Sequence, residues 1–298
     1  MAQLEAGGGA DASMASPFHF GARPAPTPRD AGLGALLIWI LLEWGHVVRA
    51  MADDEPGAGI ALATSAIVLL GGLVSSIAGF AFAAVAGSAF AHLAIDPLQA
   101  VQTMVVCSIA MQCYAVWKIR ESISWPTLGP MVAAGAVTIP AGVWLLLHSG
   151  GFNYAVAFGA FLVIYGSCVA LRRDARVFHG SAWHDAAAGA LGGITGGLAG
   201  FPGPFVTIWC SLRGWDSVRQ RAVYQPYILA MQIVTMACLR WLAPLRVDLA
   251  QNLRYVSFAL LGAIGGLAVF RRLTARQFHL AVSVLLVVSG VGLIGRAA

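Results

Sequence analysis

Two glycine-rich breaks in apolar runs are the parts of this sequence whose residue types point most directly to ligand binding. Residues 192–204 read GGITGGLAGFPGP, and residues 71–83 read GGLVSSIAGFAFA. Residues 200–204, Gly-Phe-Pro-Gly-Pro, combine glycines that adopt backbone angles closed to other residues with prolines that lack an N–H group. A helix that begins just after such a break presents unpaired N–H groups and the positive end of its dipole. Together these can hold an anion without a charged side chain.

Polar side chains on the helix that follows each break form the predicted wall of this site. The predicted substrate-binding residues are Gly79, Phe80, Ala81, Gln102, Thr103 and Gln112 in the first half, and Gly200, Phe201, Gly203, Tyr224, Gln225 and Gln232 in the second. An amide can donate two hydrogen bonds to an oxyanion while carrying no charge. Hydrogen bonding between helices is the alternative role for each of these side chains.

The two breaks belong to an internal duplication. Gly79-Phe80 and Gly200-Phe201 match at an offset of 121 residues, and Ala110-Met111-Gln112 matches Ala230-Met231-Gln232 at an offset of 120. Asp96 and Asp216 also correspond, and each is predicted to cap the helix that follows it. The chain therefore divides into repeat 1, residues 57–172, and repeat 2, residues 183–298.

Composition places these repeats in a membrane. The chain of 298 residues is 59% hydrophobic and only 10% charged, with a mean hydropathy of +0.78. So few charges cannot cover a water-facing surface, whereas apolar runs of about 20 residues match a membrane helix. The fold class predicted is all-α, integral to the membrane. The basic residues form no patch with interleaved aromatics, so nucleic acid is not an expected partner.

Catalysis and metal binding are not expected. The sequence contains no GxSxG, no HExxH and no paired intramembrane carboxylates, which argues against an enzyme. The five cysteines show no CxxC and no metal-ligand spacing with histidine, so they are interpreted as packing residues and no cofactor is predicted.

The path of each break through the membrane has two solutions. A kinked crossing gives four crossings per repeat and parallel repeats, whereas a re-entrant hairpin gives three and inverts the second repeat. Loop lysines and arginines accumulate on the cytoplasmic side. The hairpin model divides the 18 basic residues 13 against 5, and the crossing model divides them 8 against 10. The count favours two inverted repeats, each a re-entrant hairpin followed by three transmembrane helices.

The N-terminal region carries an extra element. Residues 1–30 are rich in Gly, Ala, Pro and Ser and are predicted to be a disordered tail. Residues 31–50 form an extra helix whose three polar groups, Glu43, His46 and Arg49, share one face. This helix either spans the membrane or lies in its interface, and spanning is favoured. With it, the chain has seven full spans and a cytoplasmic N-terminus.

These motifs resemble the TauE/SafE sulfite exporter family, a family of transmembrane permeases. The resemblance rests on Gly200-Phe201-Pro202-Gly203-Pro204 and on the helix starts at residues 96–103 and 219–225, and it covers about residues 57–298. It implies export of a small sulfur-containing anion such as sulfite, thiosulfate or an organosulfonate. The first break has Gly79-Phe80-Ala81-Phe82 where the family has several glycines. If only one break binds the anion, the second is predicted to do so.

The predicted function is therefore transport, most simply export, of a small anion across the inner (plasma) membrane. The partners expected are the anion and the lipid bilayer. A coupling ion, either a proton or sodium, and a homo-oligomeric state are left open by the sequence. The alternatives are an anion channel, or a membrane anchor or sensor that transports nothing.

Overall fold

A computed structural model describes residues 58–78, 81–93, 95–148, 154–171, 178, 180–243 and 249–270, together with short helical pieces between 283 and 295. These residues all lie within one compact unit, Trp39–Ala298. Their regular structure is entirely helical, so the all-α prediction is confirmed. Residues 1–30, the helix at 31–50, Gly79 and Phe80 lie outside the described part.

Nine α-helices lie in the described part, besides the C-terminal pieces. They are α1 (Ala58–Ala78), α2 (Phe82–His92), α3 (Pro97–Ile119), α4 (Trp125–Leu147), α5 (Tyr154–Leu171), α6 (Ala182–Ala199), α7 (Gly203–Leu212), α8 (Ser217–Leu242) and α9 (Leu249–Phe270). A short 3₁₀ turn, Arg120–Ser122, follows α3.

Four helical segments in the described part are long and apolar enough to cross a membrane: Gly59–Ser76, Pro97–Ser122, Trp125–Leu147 and Val218–Leu242. The chain is therefore a multi-pass membrane protein. The segment Gly59–Ser76 precedes the first break, where a re-entrant hairpin is predicted. Its length and composition would also allow a full crossing, so they do not identify its path through the membrane.

Helix starts and ends follow local chemistry. Asp96 accepts a hydrogen bond from the Gln99 N–H at 3.1 Å, with Pro97 in the first turn. Asp216 accepts from the N–H groups of Val218 and Arg219 at 2.9 and 3.0 Å. Both residues are thus N-caps, and the prediction for them is confirmed.

Glycine contacts bring two pairs of helices together. Gly189, Gly193 and Gly197 on α6 lie directly against the backbone of α4 at Met131, Gly135 and Ile139. In the other pair, Gly262 and Gly266 on α9 lie against the carbonyls of Leu69 and Leu73 on α1. Within each pair residue numbers rise together, so the paired helices run parallel. Because small residues let backbones approach closely in lipid, these contacts are the centre of the helix packing.

A third pair runs the other way. Gly166, late in α5, lies against Leu286 and the Ser283 carbonyl. Gly290 lies against the Gly159 carbonyl and Val163, which are earlier in α5. The C-terminal helical residues and α5 are therefore antiparallel.

Candidate functional site

The second break is a sharp reversal of the chain between α6 and α7. Gly200 ends α6 in the left-handed region, with φ of 63°. Its N–H donates to the Gly196 carbonyl at 2.9 Å, and the Phe201 N–H donates to the Thr195 carbonyl at 3.3 Å. This is the αL termination that glycine allows. Gly203 is instead the first helical residue of α7, so only one of the two predicted break glycines uses a left-handed conformation.

The two helices of this break fold back on each other to form a hairpin, residues 182–212. Asp185, in the first turn of α6, accepts a hydrogen bond from Trp209 Nε1 near the end of α7 at 2.6 Å. Gly196 lies against Pro202 just before α7 begins. Contacts at both ends therefore hold α6 and α7 side by side rather than end to end. We call this hairpin 2.

The first break brings its helices together in the same way. Gly71 on α1 lies against the Phe82 ring and against Ala86 on α2. A continuous helix would separate residues 71 and 86 by about 22 Å at 1.5 Å per residue. Residues 58–92 therefore form a second hairpin, which we call hairpin 1. Its Gly79 and Phe80 are not described, and Ala81 is fully buried in the turn before α2.

The tip of hairpin 2 is embedded between α3 and α5. Gly200 lies against Val101 and Val105 on α3. The Phe201 ring meets those of Phe161 and Tyr165 on α5 edge to face, with centroids 6.1 and 6.2 Å away. Irregular backbone at membrane depth is tolerated only where protein or a water-filled cavity surrounds it, and these contacts surround the tip with protein.

A polar contact fixes the same tip from the side of α5. The Tyr165 hydroxyl lies 3.0 Å from Thr207 Oγ1 on α7, and Thr207 also donates to the Pro204 carbonyl. Sequence reasoning missed Tyr165. Its signal was a phenol in the middle of a largely apolar helix, where a buried hydroxyl needs a partner.

The two tips differ in how many N–H groups they offer. The N-cap and first three residues of a helix have no N–H partner within it. At α7 these positions are Pro202, Gly203, Pro204 and Phe205, so only Gly203 and Phe205 carry a donor. At α2 they are Ala81, Phe82, Ala83 and Ala84, and all four carry one.

The six predicted polar side chains are all at least nine-tenths buried. They are Gln102, Thr103 and Gln112 on α3, and Tyr224, Gln225 and Gln232 on α8. The helices α3 and α8 pack against each other. The clearest link between them is a hydrogen bond from Gln232 Nε2 to Ser108 Oγ, 2.6 Å long. Sequence reasoning missed Ser108, although it lies one helical turn from Gln112 and shares its face.

Tyr227 and Thr138 tie α6 to its neighbours. The Tyr227 hydroxyl on α8 donates to the Gly189 carbonyl at 2.6 Å, and Thr138 Oγ1 on α4 donates to the Ala190 carbonyl at 2.7 Å. Any side chain at Gly192 would meet the Tyr227 hydroxyl. The glycines before the break therefore serve close packing, one of the two roles predicted for them.

A charged clamp closes the base of hairpin 2. Asp185 Oδ1, which Trp209 donates to, also lies 3.2 Å from Arg213 Nη1. Arg213 and Arg219 lie over the Trp215 ring, at 4.8 and 4.7 Å from its centroid. Sequence reasoning missed Asp185, whose signal was a carboxylate at the start of an apolar helix.

The neighbouring cap is also electrostatically distinct. The N–H groups of Arg219 and Val218 lower the pKa of the Asp216 carboxyl from its usual value, because hydrogen bonds favour its charged form. Arg221, in the second turn of α8, interacts with the hydroxyl of Tyr224 one turn further along the same helix. Arg213 and Arg219, which both lie over the Trp215 ring, thus lie between the base of hairpin 2 and the start of α8.

The described residues contain no group of three or more His, Cys, Asp or Glu side chains that could hold a metal ion. The predicted site residues supply amides, hydroxyls and backbone N–H groups, which bind small ions by hydrogen bonding.

Comparison with models of protein families assigns the chain to one family. The family model described as "Sulfite exporter TauE/SafE" matches residues 64–293. Neither the curated proteins nor the solved structures contain a significant match.

Proposed function

Because the chain belongs to the TauE/SafE sulfite exporter family, a family of membrane transporters rather than enzymes, we propose that it exports a small sulfur-containing anion held between its two hairpin tips. Sulfite, thiosulfate and short organosulfonates are the substrates that the family suggests. The anion would be bound by backbone N–H groups of the tips and by the polar side chains of α3 and α8.

The observation that carries this proposal is the position of the hairpin 2 tip. Gly200 lies against Val101 and Val105, beside the predicted wall residues Gln102 and Thr103. A tip from the second half thus reaches a helix of the first half, as expected for a site formed between repeats. Donors at a helix start and amides on the facing helix suit an anion without adding a buried charge.

Matching contacts support the proposed pair of repeats, residues 57–172 and 183–298. Thr138 and Gly142 on α4 meet the carbonyls of Ala190 and Ile194 on α6. Gly262 and Gly266 on α9 lie 124 residues after Thr138 and Gly142. They meet the carbonyls of Leu69 and Leu73 on α1, which lie 121 residues before Ala190 and Ile194. Such an exchange of contacts is what a two-fold relation between the halves would produce.

The last helix of each proposed repeat supports inversion: α5 in repeat 1 and the helical residues between 283 and 295 in repeat 2. Gly166 and Gly290 are equivalent at the offset of 124, and each lies against the helix that bears the other. These equivalent helices are antiparallel, so a two-fold axis relating them is perpendicular to both. For helices that cross a membrane, that axis lies in the membrane plane and inverts the repeats. A kinked crossing in each repeat would make the two helices parallel.

Inversion combined with the basic residues orients the protein. The hairpin model gives seven full spans, with 13 of the 18 basic residues on the side of the N-terminus. By the positive-inside preference that side is the cytoplasm, in a chain that resides in the inner membrane. A monovalent anion leaving such a cell gains about 2.3 kcal/mol per 100 mV of inside-negative potential, so export needs no coupling ion.

Reconstitution tests the proposal. Purified protein in liposomes should move labelled sulfite, thiosulfate or a short sulfonate when the potential favours exit, and empty liposomes should not. With the membrane potential held at zero, unlabelled anion inside the liposomes should accelerate the entry of labelled anion through a carrier, whereas it should not accelerate entry through a channel. Correctly inserted protein that moves none of these anions would contradict the proposal and favour an anchor or sensor.

A further inference from the structure

One buried hydroxyl in the described helices, that of Thr235, differs from those of Ser65 and Ser257. Ser65 and Ser257, which are almost fully buried, donate to the carbonyls four residues earlier in their own helices, at 2.8 and 3.0 Å. This is the usual resting state of a hydroxyl in an apolar helix. Thr235 on α8 is only 1% exposed, yet its Oγ1 has no hydrogen-bond partner among the described residues. Its hydroxyl is free to serve a partner that is not part of these helices.

The amide of Gln232 presents a second such atom. Gln232 is 2% exposed, and its Nε2 donates to Ser108 on α3. Its Oε1 has no hydrogen-bond partner in the described part of the chain. Residues three apart on a helix lie on the same face, so the free oxygens of Gln232 and Thr235 are neighbours on α8. Buried polar atoms are rarely left unpaired, and an unseen ligand is one explanation.

The Gln232 amide is linked to the tip of hairpin 2 through α3. The tip residue Gly200 touches Val105, and Ser108 is one helical turn further along α3 on the same face. Ser108 is 2.6 Å from the Gln232 amide. Val105 and Ser108 on α3 therefore link the tip to Gln232, and Thr235 lies one helical turn from Gln232 along α8.

The chemistry of the two atoms is specific. With Nε2 assigned to the bond with Ser108, the Gln232 amide leaves its oxygen, which only accepts, for a ligand. A threonine hydroxyl accepts as well as donates. A fully deprotonated oxyanion also offers only acceptors, so it would meet Gln232 Oε1 with two lone pairs facing each other. An oxyanion that retains a hydroxyl can donate that proton to the amide oxygen, while its charged oxygens accept from Thr235 and the tip.

We propose that Gln232 and Thr235 select a singly charged oxyanion that carries its own hydroxyl, such as hydrogen sulfite, and reject anions without one, such as sulfate and methanesulfonate. This inference rests on the proposed export function. It narrows the substrates named there to hydrogen sulfite, excluding thiosulfate and short sulfonates without a hydroxyl, and it assigns a role to Thr235, which the sequence did not single out. A site built to hydrogen-bond a hydroxyl discriminates strongly against an analogue that lacks it.

Competition in proteoliposomes tests the rule at one mildly acidic pH, where sulfite is mostly hydrogen sulfite. Unlabelled sulfite should inhibit labelled sulfite flux at least about 10-fold more strongly than sulfate or methanesulfonate does, as expected for one hydrogen bond to a charged ligand. Methanesulfonate carries a single charge, so it separates the effect of the hydroxyl from that of charge. Equal inhibition by all three anions would overturn the inference and leave the proposed function standing. Absence of any flux would count against the proposed function instead.

Variants locate the selectivity. Gln232→Met and Thr235→Val keep approximate volume and remove the free oxygens, and each should reduce the preference over methanesulfonate several-fold, toward equality. Ser257→Ala is the matched control, because its hydroxyl bonds only within α9. Unchanged preference in both α8 variants would assign the two oxygens to a bound water rather than to the substrate. The wild-type competition does not depend on whether these variants fold.

Discussion

The two hairpins share their fold and differ in the chemistry of their bases. Hairpin 2 is closed by Asp185, Trp209 and Arg213. At an offset of 121 residues, hairpin 1 has Thr64, Ser88 and His92. Ser88 and His92 interact with backbone carbonyls of their own helix instead. The base of hairpin 2 thus contains a partly buried ion pair, whereas the equivalent positions of hairpin 1 carry no aspartate and no arginine.

The tips differ in the opposite sense. Hairpin 1 offers four N–H groups at the start of α2, whereas prolines at 202 and 204 leave hairpin 2 with two. The second break was predicted to be the stronger anion site because of its glycines and prolines. The donor count favours the first break, because proline shapes the turn but removes the groups that an anion needs.

Glycine contacts between helices are the common feature of the two halves. Gly72 meets the Ala259 carbonyl, and its equivalent Gly193 meets the Gly135 carbonyl. In the proposed pair of repeats, the contacts that depend on backbone shape are shared, whereas the polar side chains at the hairpin bases differ. Hairpin 2 therefore has the charged base that would make it the more rigid of the two. Hairpin 1 has the larger number of N–H donors, which would suit it better to bind an anion and to move.

The largest expected effect tests the shared part of this comparison. Gly193→Ala and Gly72→Ala each place a Cβ against a backbone carbonyl, which cannot rotate away. Both should lose stability at or above the upper end of the roughly 1–3 kcal/mol that overpacking costs. Thermal unfolding of the purified protein in detergent measures this loss. Gly265→Ala, with open space around it, is the control. Tolerance of one substitution but not the other would break the proposed equivalence.

The next effect tests the difference between the bases. Asp185→Asn should destabilise by about 2–3 kcal/mol, less than the full 3–5 kcal/mol for breaking a buried pair because Arg213 retains some exposure. Ser88→Ala in hairpin 1 should cost less than about 1 kcal/mol, since it removes one bond to its own helix. Chemical or thermal unfolding reports both. Adding Arg213→Gln to Asp185→Asn should cost less than the sum of the single changes, and strict additivity would contradict the clamp.

A reciprocal swap tests the difference between the tips. Ala83→Pro removes an N–H group from hairpin 1 at the position equivalent to Pro204, and Pro204→Ala restores one in hairpin 2. Proline is tolerated in the first turn of a helix. Loss of a hydrogen bond to a charged ligand should weaken anion binding by roughly 10-fold or more in Ala83→Pro. Pro204→Ala should not weaken it. Anion-dependent thermal shifts measure both, and unchanged affinity in Ala83→Pro would return the main role to hairpin 2.

The smallest effect concerns the turn itself. Gly200→Ala should cost about 1 kcal/mol, since a left-handed conformation strains any residue with a Cβ. Gly214→Ala is the matched control, because Gly214 has a φ of 64° outside the tip. Both variants should lose similar stability, but only Gly200→Ala should also reduce sulfite flux. An equal reduction of flux in both would show that the tip has no special role.

Much of the helical architecture could be predicted from residue types. The helix expected after Asp96 is observed as Pro97–Ile119, and the helix expected after Asp216 as Ser217–Leu242. Apolar runs, N-cap aspartates and interior breaks act locally, so their signals are present in the chain itself. The predicted site residues on α3 and α8 are all buried, although their contact with a substrate stays a prediction.

The sequence by itself determined that this is an all-helical membrane protein of the TauE/SafE family, since hydropathy and motif spacing are properties of the linear chain. Only the tertiary structure decided which residues meet across distance. Asp185 pairs with Arg213, Ser108 pairs with Gln232, and Gly200 at the end of α6 packs against α3. A lone aspartate or serine carries no sign of its partner, because that partner is set by how helices pack and where a turn points.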